Sequence, residues 1–310
     1  MTTFEADLSW ISDRYQALFG MQSPRYDHLL QTLITPALAA IATGDAPYHT
    51  LDHTLQVMAL GHHILAGKQH FEGTVTPQDW LHIMVALGCH DVGYVKGIFA
   101  QDNGATHHYF DGLNRQVKIP ATATGAALTD YHVDRSKAYV IRYLAHPQLH
   151  LQTIADYIEL TRFPIPNGAA YQAHGSNGGL CRAADLLGQL SDLGYLQKLP
   201  ALFQEFEEIG LNQTLGYATP ADLKTGYPYF FWQVVYPYVR GSVRYLSATA
   251  PGRQAIAALY TNLYLAELNQ PLGDATSEAL RHRASDPAAL LSWQEAGFIF
   301  TADCRANGQE

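Results

Sequence analysis

His49 and His53 stand four residues apart in Pro47-Tyr48-His49-Thr50-Leu51-Asp52-His53. That spacing puts two imidazoles on one face of a helix that begins near Tyr48. Further along, Cys89-His90-Asp91 sets an imidazole beside a carboxylate, with Gly88 and Gly93 leaving room for close approach. Adjacent residues diverge by about 100° on a helix, so both reach one ion only where the backbone packs tightly around it. Asp185 follows Arg182-Ala183-Ala184 and precedes Leu186-Leu187. An acid in so apolar a segment needs a partner, which is either a shared ion or Arg182, three residues earlier. Imidazole nitrogen with carboxylate oxygen suits Zn, Mn, Fe or Co, and carboxylates with open water positions favour the harder ions. One hypothesis unites the pieces: His53, His90, Asp91 and Asp185 are ligands, and His49 lies near enough to give or take a proton.

The order Tyr48-His49-x-x-x-His53, Cys89-His90-Asp91, Ala184-Asp185-Leu186 resembles the HD-domain metal-dependent phosphohydrolases, and among them the cyclic-nucleotide phosphodiesterase-like branch. The clear likeness spans about residues 45 to 190, and a looser one covers Phe230 to Pro237, similar to the branch's late aromatic helix. The resemblance implies an all-α HD-domain helical bundle with additional C-terminal helices. It implies that His53, His90, Asp91 and Asp185 bind the first of one or two divalent metals per chain (Mn, Fe, Zn, Co or Mg), with Asp91 bridging to a second. His49 would be the general acid, and the activity would be hydrolysis of a phosphate ester by metal-activated hydroxide. An imidazole suits the acid role because its ordinary pKa lies near neutrality.

Two positions depart from the branch. Tyr94 stands where a second histidine usually follows the His-Asp pair, which bears on the second metal. Tyr227 stands where a purine-gripping glutamine is usual, so cyclic-nucleotide specificity does not carry over, although an aromatic ring could stack on a base. His132 is a further candidate ligand, with His146 and the pair His107-His108 as weaker ones beside their capping or surface roles. Arg162, ending a helix before a long loop, is a candidate phosphate grip; the helix dipole alone also favours it there. Two other functions fit the same residues: a di-iron oxygenase, which needs His132 or a similar residue at the second metal, and a catalytically silent metal- or nucleotide-binding sensor.

Composition narrows the partners. The 310 residues are 47% hydrophobic and 15% charged, which suits one large helical core rather than disorder. A formal charge of −9 with 19 Lys plus Arg leaves no basic stripe for duplex nucleic acid. A small phosphate ester, such as one of a nucleotide, is the expected partner, and an acidic chain needs a metal or a local cation cluster to receive it. Cys89, Cys181 and Cys304 are far apart and form no CxxC, and no run approaches 18 apolar residues. Cytoplasmic location without membrane contact is the expectation, and the oligomeric state stays open.

Apolar residues recur at three- and four-residue spacing. Helices are expected near 5–19, 25–43, 50–66, 77–90, 134–145, 148–161, 178–193, 198–209, 228–246, 252–268 and 285–295, in a single domain over residues 1–310. Within it the metal-site core spans about 45–190, and the helices of 198–310 complete the core and one pocket wall. Thr76-Pro77-Gln78-Asp79 carries an N-cap hydroxyl, a first-position proline and a first-turn acid. Residues 93–125 and 163–179 read as irregular.

Overall fold

The helical spacing is realised almost throughout. The structure, a computed structural model, describes residues 8–20 and 25–268. Helix takes 67% of the protein and strand 3%, so the fold is all-α. Residues up to Leu268 form one unit; the expected helix at 285–295 and the first turn of the expected 5–19 helix lie outside the described residues.

The helices are α1 (Trp10–Phe19), α2 (Tyr26–Ala42), α3 (Leu51–Glu72), α4 (Pro77–Cys89), α5 (His132–Tyr143), α6 (Leu151–Glu159), α7 (Asn177–Leu190), α8 (Tyr195–Glu208), α9 (Leu211–Leu215), α10 (Pro220–Phe230), α11 (Tyr236–Leu246) and α12 (Ala250–Glu267). α4 starts where its capping signal lies: the Thr76 hydroxyl accepts from Asp79 N at 3.0 Å, and the Asp79 carboxylate accepts from Thr76 N at 3.1 Å. The Thr219-Pro220-Ala221-Asp222 stretch repeats that pattern and opens α10, with the Asp222 carboxylate accepting from Thr219 N at 2.8 Å. The sequence reading began this helix eight residues late, at 228, and missed α9. It also carried one helix through 228–246, where a π-helical turn at Phe231–Val235 separates α10 from α11.

α3 lies against both α4 and α7, and Gly61 is what permits it. A Cβ there would stand 2.2 Å from Leu87 Cδ1 of α4 and 3.3 Å from Ala184 Cβ of α7. This close approach brings together the three helices that carry His53, His90 and Asp185.

Residues 93–125, expected to be irregular, contain a short hairpin. Its strands β1 (His108–Phe110) and β2 (Gln116–Lys118) pair antiparallel in the register His108↔Lys118, Tyr109↔Val117 and Phe110↔Gln116. Arg135 of α5 fastens this excursion. Its guanidinium, fully buried, pairs with Asp102 at 3.0 Å and donates to the carbonyls of Gly93, Val95 and Phe110. The same helix touches the chain just after Asp91: Ser136 Oγ donates to His90 O at 2.6 Å and accepts from Gly93 N at 2.9 Å. Glycine is required there, because a Cβ on residue 93 would lie 1.9 Å from His132 O.

α3 buries His62 and His63 as well. Trp80 Nε1 donates to His62 Nδ1 at 3.2 Å. Burial pushes the two imidazoles down to about 3 and about 4, helped by their mutual proximity for His62 and by Arg14 for both. Above pH 6.5 they are neutral folded and unfolded, and contribute no pH dependence. As pH falls below 6.5 the unfolded chain takes protons that the native state refuses, so stability falls from about pH 6.5 toward pH 4. His62→Asn, which keeps an acceptor for Trp80 but cannot titrate, is expected to flatten this slope in urea midpoints measured across that range; an unchanged slope refutes the assignment.

Candidate metal centre

His53 points inward from the first turn of α3, whose N-cap is Thr50. α4 ends at Cys89, and the chain turns at once into a 3-10 turn over Val92–Tyr94. This turn resolves the divergence between His90 and Asp91 and aims both at one place. His90 Nδ1 donates to Leu87 O at 2.7 Å, which leaves Nε2 as the ligand atom. Asp185 arrives from α7.

The four side chains meet. His53 Nε2 lies 3.4 Å from both Asp91 Oδ2 and Asp185 Oδ1, and His90 Nε2 lies 3.2 and 3.5 Å from the same two atoms. Nitrogen and oxygen therefore alternate around one centre. Ligands a little over 2 Å from a single ion stand roughly 3 to 3.5 Å from their neighbours, so the donor set fits a divalent cation. Burial makes the same case. His53 Nε2, His90 Nε2 and Asp91 Oδ2 are all buried without a hydrogen-bond partner, a state that native proteins avoid unless something else satisfies the atoms. Despite burial, which opposes ionisation, the imidazoles hold both carboxylates low: Asp185 at about 2, through His53 and His90, and Asp91 lower still, chiefly through His90.

His49 stands beside this set; one of its ring nitrogens lies within 4.8 Å of ligand atoms of His53 and Asp91. Its other partner escaped the sequence reading. Glu205 of α8, buried, places Oε2 2.6 Å from His49 Nδ1, while Oε1 accepts from Tyr48 N at 2.6 Å and His49 N at 3.1 Å. Burial works against a charged His49, but Glu205, and after it Asp91 and Asp185, raise it to about 9. The signal for Glu205 was its register: it continues the buried stripe of Leu199 and Leu202, an acid where the pattern calls for an apolar residue.

Tyr94 is buried between two histidines. Its ring stacks on His49 at 4.4 Å and 18° and on His132 at 4.2 Å and 13°. His132 Nδ1 donates to Thr129 O at 2.6 Å, and burial pushes this imidazole down to about 4, so it is neutral. It joins neither group of metal-competent side chains among the described residues.

Other candidates stand elsewhere. Arg162 is not a free cation: it is paired with Glu159 at 2.6 Å and Asp134 at 3.0 Å, which already neutralise it. Tyr227 offers no face to a base. It is buried against Tyr195 and donates to Leu190 O at 3.4 Å, because its position falls on the inner side of α10. His146 Nδ1 accepts from Gln148 N in a turn, and His107 O and the backbone of His108 serve the hairpin. Burial raises the Cys89 thiol to about 12, which leaves it inert. Arg182 makes no ion pair with Asp185; its head points to Tyr171, His174 and Tyr238.

The model of the Npun_R2479-like family matches residues 3–269. The chain belongs to the Npun_R2479-like family. Its match takes in every residue of the centre, the Glu205 helix and the stretch through α12. No curated protein matches the chain. Among the described residues, no helix is long and apolar enough to cross a membrane.

Two outcomes test the centre. Asp91→Ala and Asp185→Ala are each expected to keep the helical circular dichroism and lose bound metal by inductively coupled plasma mass spectrometry; unchanged metal content in Asp185→Ala rules out the four-residue set. In chelator-treated protein, Glu205→Gln removes the charge that raises His49, so the His49 titration followed by imidazole NMR should move down from about 9 by one unit or more.

Proposed function

We propose that the protein is a metal-dependent phosphohydrolase of the HD-domain type, cleaving a phosphate ester of a small molecule such as a nucleotide. The observation that carries this reading is the convergence of His53, His90, Asp91 and Asp185, whose inward atoms are buried and unpartnered. The ordered motifs, from the histidine pair through His90-Asp91 to Asp185, support it. So does the all-α frame.

A divalent cation bound by these residues would supply Lewis acidity toward a phosphoryl oxygen and toward water. His53 and His90 would present their Nε2 atoms to it, His90 being oriented for this by its bond to Leu87 O. Asp91 and Asp185 supply the charge that lets an acidic chain hold a cation. His49 keeps Nδ1 on Glu205 and has Nε2 left to carry a proton to the leaving oxygen. Glu205 is a positioning residue: it holds the ring through the side chain and through two backbone amides. Tyr94 packs flat on the same ring and limits its rotation. The oxygenase alternative gains nothing from His132, which stands off behind Tyr94.

Purified protein should hold one or two metal ions per chain and hydrolyse bis-p-nitrophenyl phosphate with at least one of Mn, Mg, Zn or Fe. His49→Ala should retain the metal while kcat falls about 10²- to 10⁴-fold, the usual range for losing a positioned acid. Full activity in His49→Ala removes the proton-donor role, and absence of turnover with every metal removes the hydrolase reading.

A further inference from the structure

Two arginines are completely buried among the described residues, Arg135 and Arg182, and they differ in how they are satisfied. Arg135 has a carboxylate at 3.0 Å and three carbonyls. Arg182 has no carboxylate within ion-pair reach among the described residues. NH1 donates to Tyr171 O at 2.8 Å, NH2 donates to His174 Nδ1 at 3.2 Å, and the guanidinium carbon lies 4.4 Å from the centroid of the Tyr238 ring. Nε has no partner. A buried guanidinium is permanently charged, and carbonyls and rings offset only part of its desolvation.

The surroundings add positive charge instead of cancelling it. Arg240 of α11 is exposed, makes no ion pair among the described residues and lies near enough to His174 to act on it electrostatically. Burial and then the two guanidiniums, Arg182 and Arg240, lower the His174 pKa, so this imidazole is neutral with its Nε2 as the remaining donor. His174 and Tyr238 meet edge to face at 5.0 Å and 82°. Within the group Arg240 is exposed, His174 and Tyr238 are half-buried and Arg182 is buried. In a chain of net charge −9, a buried guanidinium with an unpartnered Nε, no carboxylate in ion-pair reach among the described residues and a second guanidinium nearby calls for an anion from outside.

We propose that Arg182, His174, Tyr238 and Arg240 form an anion site, separate from the metal centre, that binds a phosphate group. The free Nε edge of Arg182 matches two oxygens of a tetrahedral anion, His174 Nε2 and Arg240 reach the others, and the Tyr238 ring forms the wall against which an esterified phosphate packs its organic part. The inference does not rest on the hydrolase reading, since none of these residues belongs to the four-residue set.

The test is titration calorimetry of the full-length protein with inorganic phosphate and, separately, phenyl phosphate, at ionic strength held constant with sodium chloride. Saturable phosphate binding is expected, absent in Arg182→Met and weakened about threefold to fivefold in the surface variant Arg240→Ala, as suits a partly screened charge. Tighter binding of phenyl phosphate identifies a phosphate monoester as the occupant, and equal binding identifies the free ion. Phosphate binding that persists unchanged in both variants belongs to the metal centre or to general ionic strength, and overturns the site; so does the absence of binding. If Arg182→Met does not fold, Arg240→Ala and the ¹⁵N–¹H resonance of Arg182 Nε decide: the resonance must shift on phosphate addition to the wild type, and a stationary resonance refutes the proposal.

Discussion

The interior holds two imidazoles and two carboxylates in mutual contact, with His53 Nε2, His90 Nε2 and Asp91 Oδ2 satisfied by no protein group. Burying such atoms unpaired costs several kcal/mol for ions even after relaxation. The chain concentrates that cost here, where three unpartnered buried atoms meet, and much of the architecture around them prevents escape. The helix that carries His53 cannot shift freely on the one that carries Asp185, because they pack so closely that a Cβ on Gly188 of α7 would lie 3.0 Å from Val57 Cα of α3. Nor can the His90-Asp91 turn relax, since α5 holds it on both sides. Ser136 takes the amide of Gly93 and gives its hydroxyl to His90 O, and Arg135 ties Gly93 and Val95 to Asp102. A polar network this rigid is what a preorganised ion site requires.

The same logic extends to His49 at lower stringency. It precedes α3 and has no helical hydrogen bond to orient it, so its position depends on Glu205 from α8 and on the stack with Tyr94. Glu205 accepts from two consecutive backbone amides besides the ring, which makes its carboxylate a cap for the turn as well as a partner for the imidazole. Residues beyond 190 are thereby part of the centre, through Glu205 of α8. A truncated helical core ending after Asp185 would keep the four ligands and lose the group that aims His49.

What the sequence made legible follows from physical range. The candidate ligands are visible because each breaks a local pattern: His53 repeats His49 at helical spacing, and Asp185 sits in an apolar run. The start of α4 is visible because capping is local chemistry. The same Thr-Pro-x-Asp signal stands at Thr219 and opens α10, which carries Gly226 and Pro228 in its last turns. The hairpin was invisible because three-residue strands are too short to show alternation. The role of Glu205 is hidden for another reason, although its register in the buried stripe marks an acid inside. Its meaning lies in a contact 156 residues away in sequence, and no local rule reports that. Arg162 and Tyr227 show the converse: residue type suggested ligand contact, but Arg162 has two carboxylates of its own and Tyr227 faces the core.

Tyr94 decides what kind of centre this is. Burial keeps its phenol protonated well above the ordinary tyrosine range. A neutral phenol is a poor ligand, so Tyr94 acts through its faces, as a spacer that holds His49 and His132 on opposite sides. His132, bonded to Thr129 O and neutral, then braces the stack without reaching an ion. The two metal-competent groups, His53-His90-Asp185 and His49-His53-Asp91, share His53, so they compete for one imidazole nitrogen. The first is completed by Asp91 into four alternating donors; the second would take the His49 lone pair that a proton otherwise occupies. Glu205 tips that choice, because a carboxylate 2.6 Å from Nδ1 stabilises the protonated ring. An ion in the four-donor set and a proton on His49 are therefore mutually consistent states of one site.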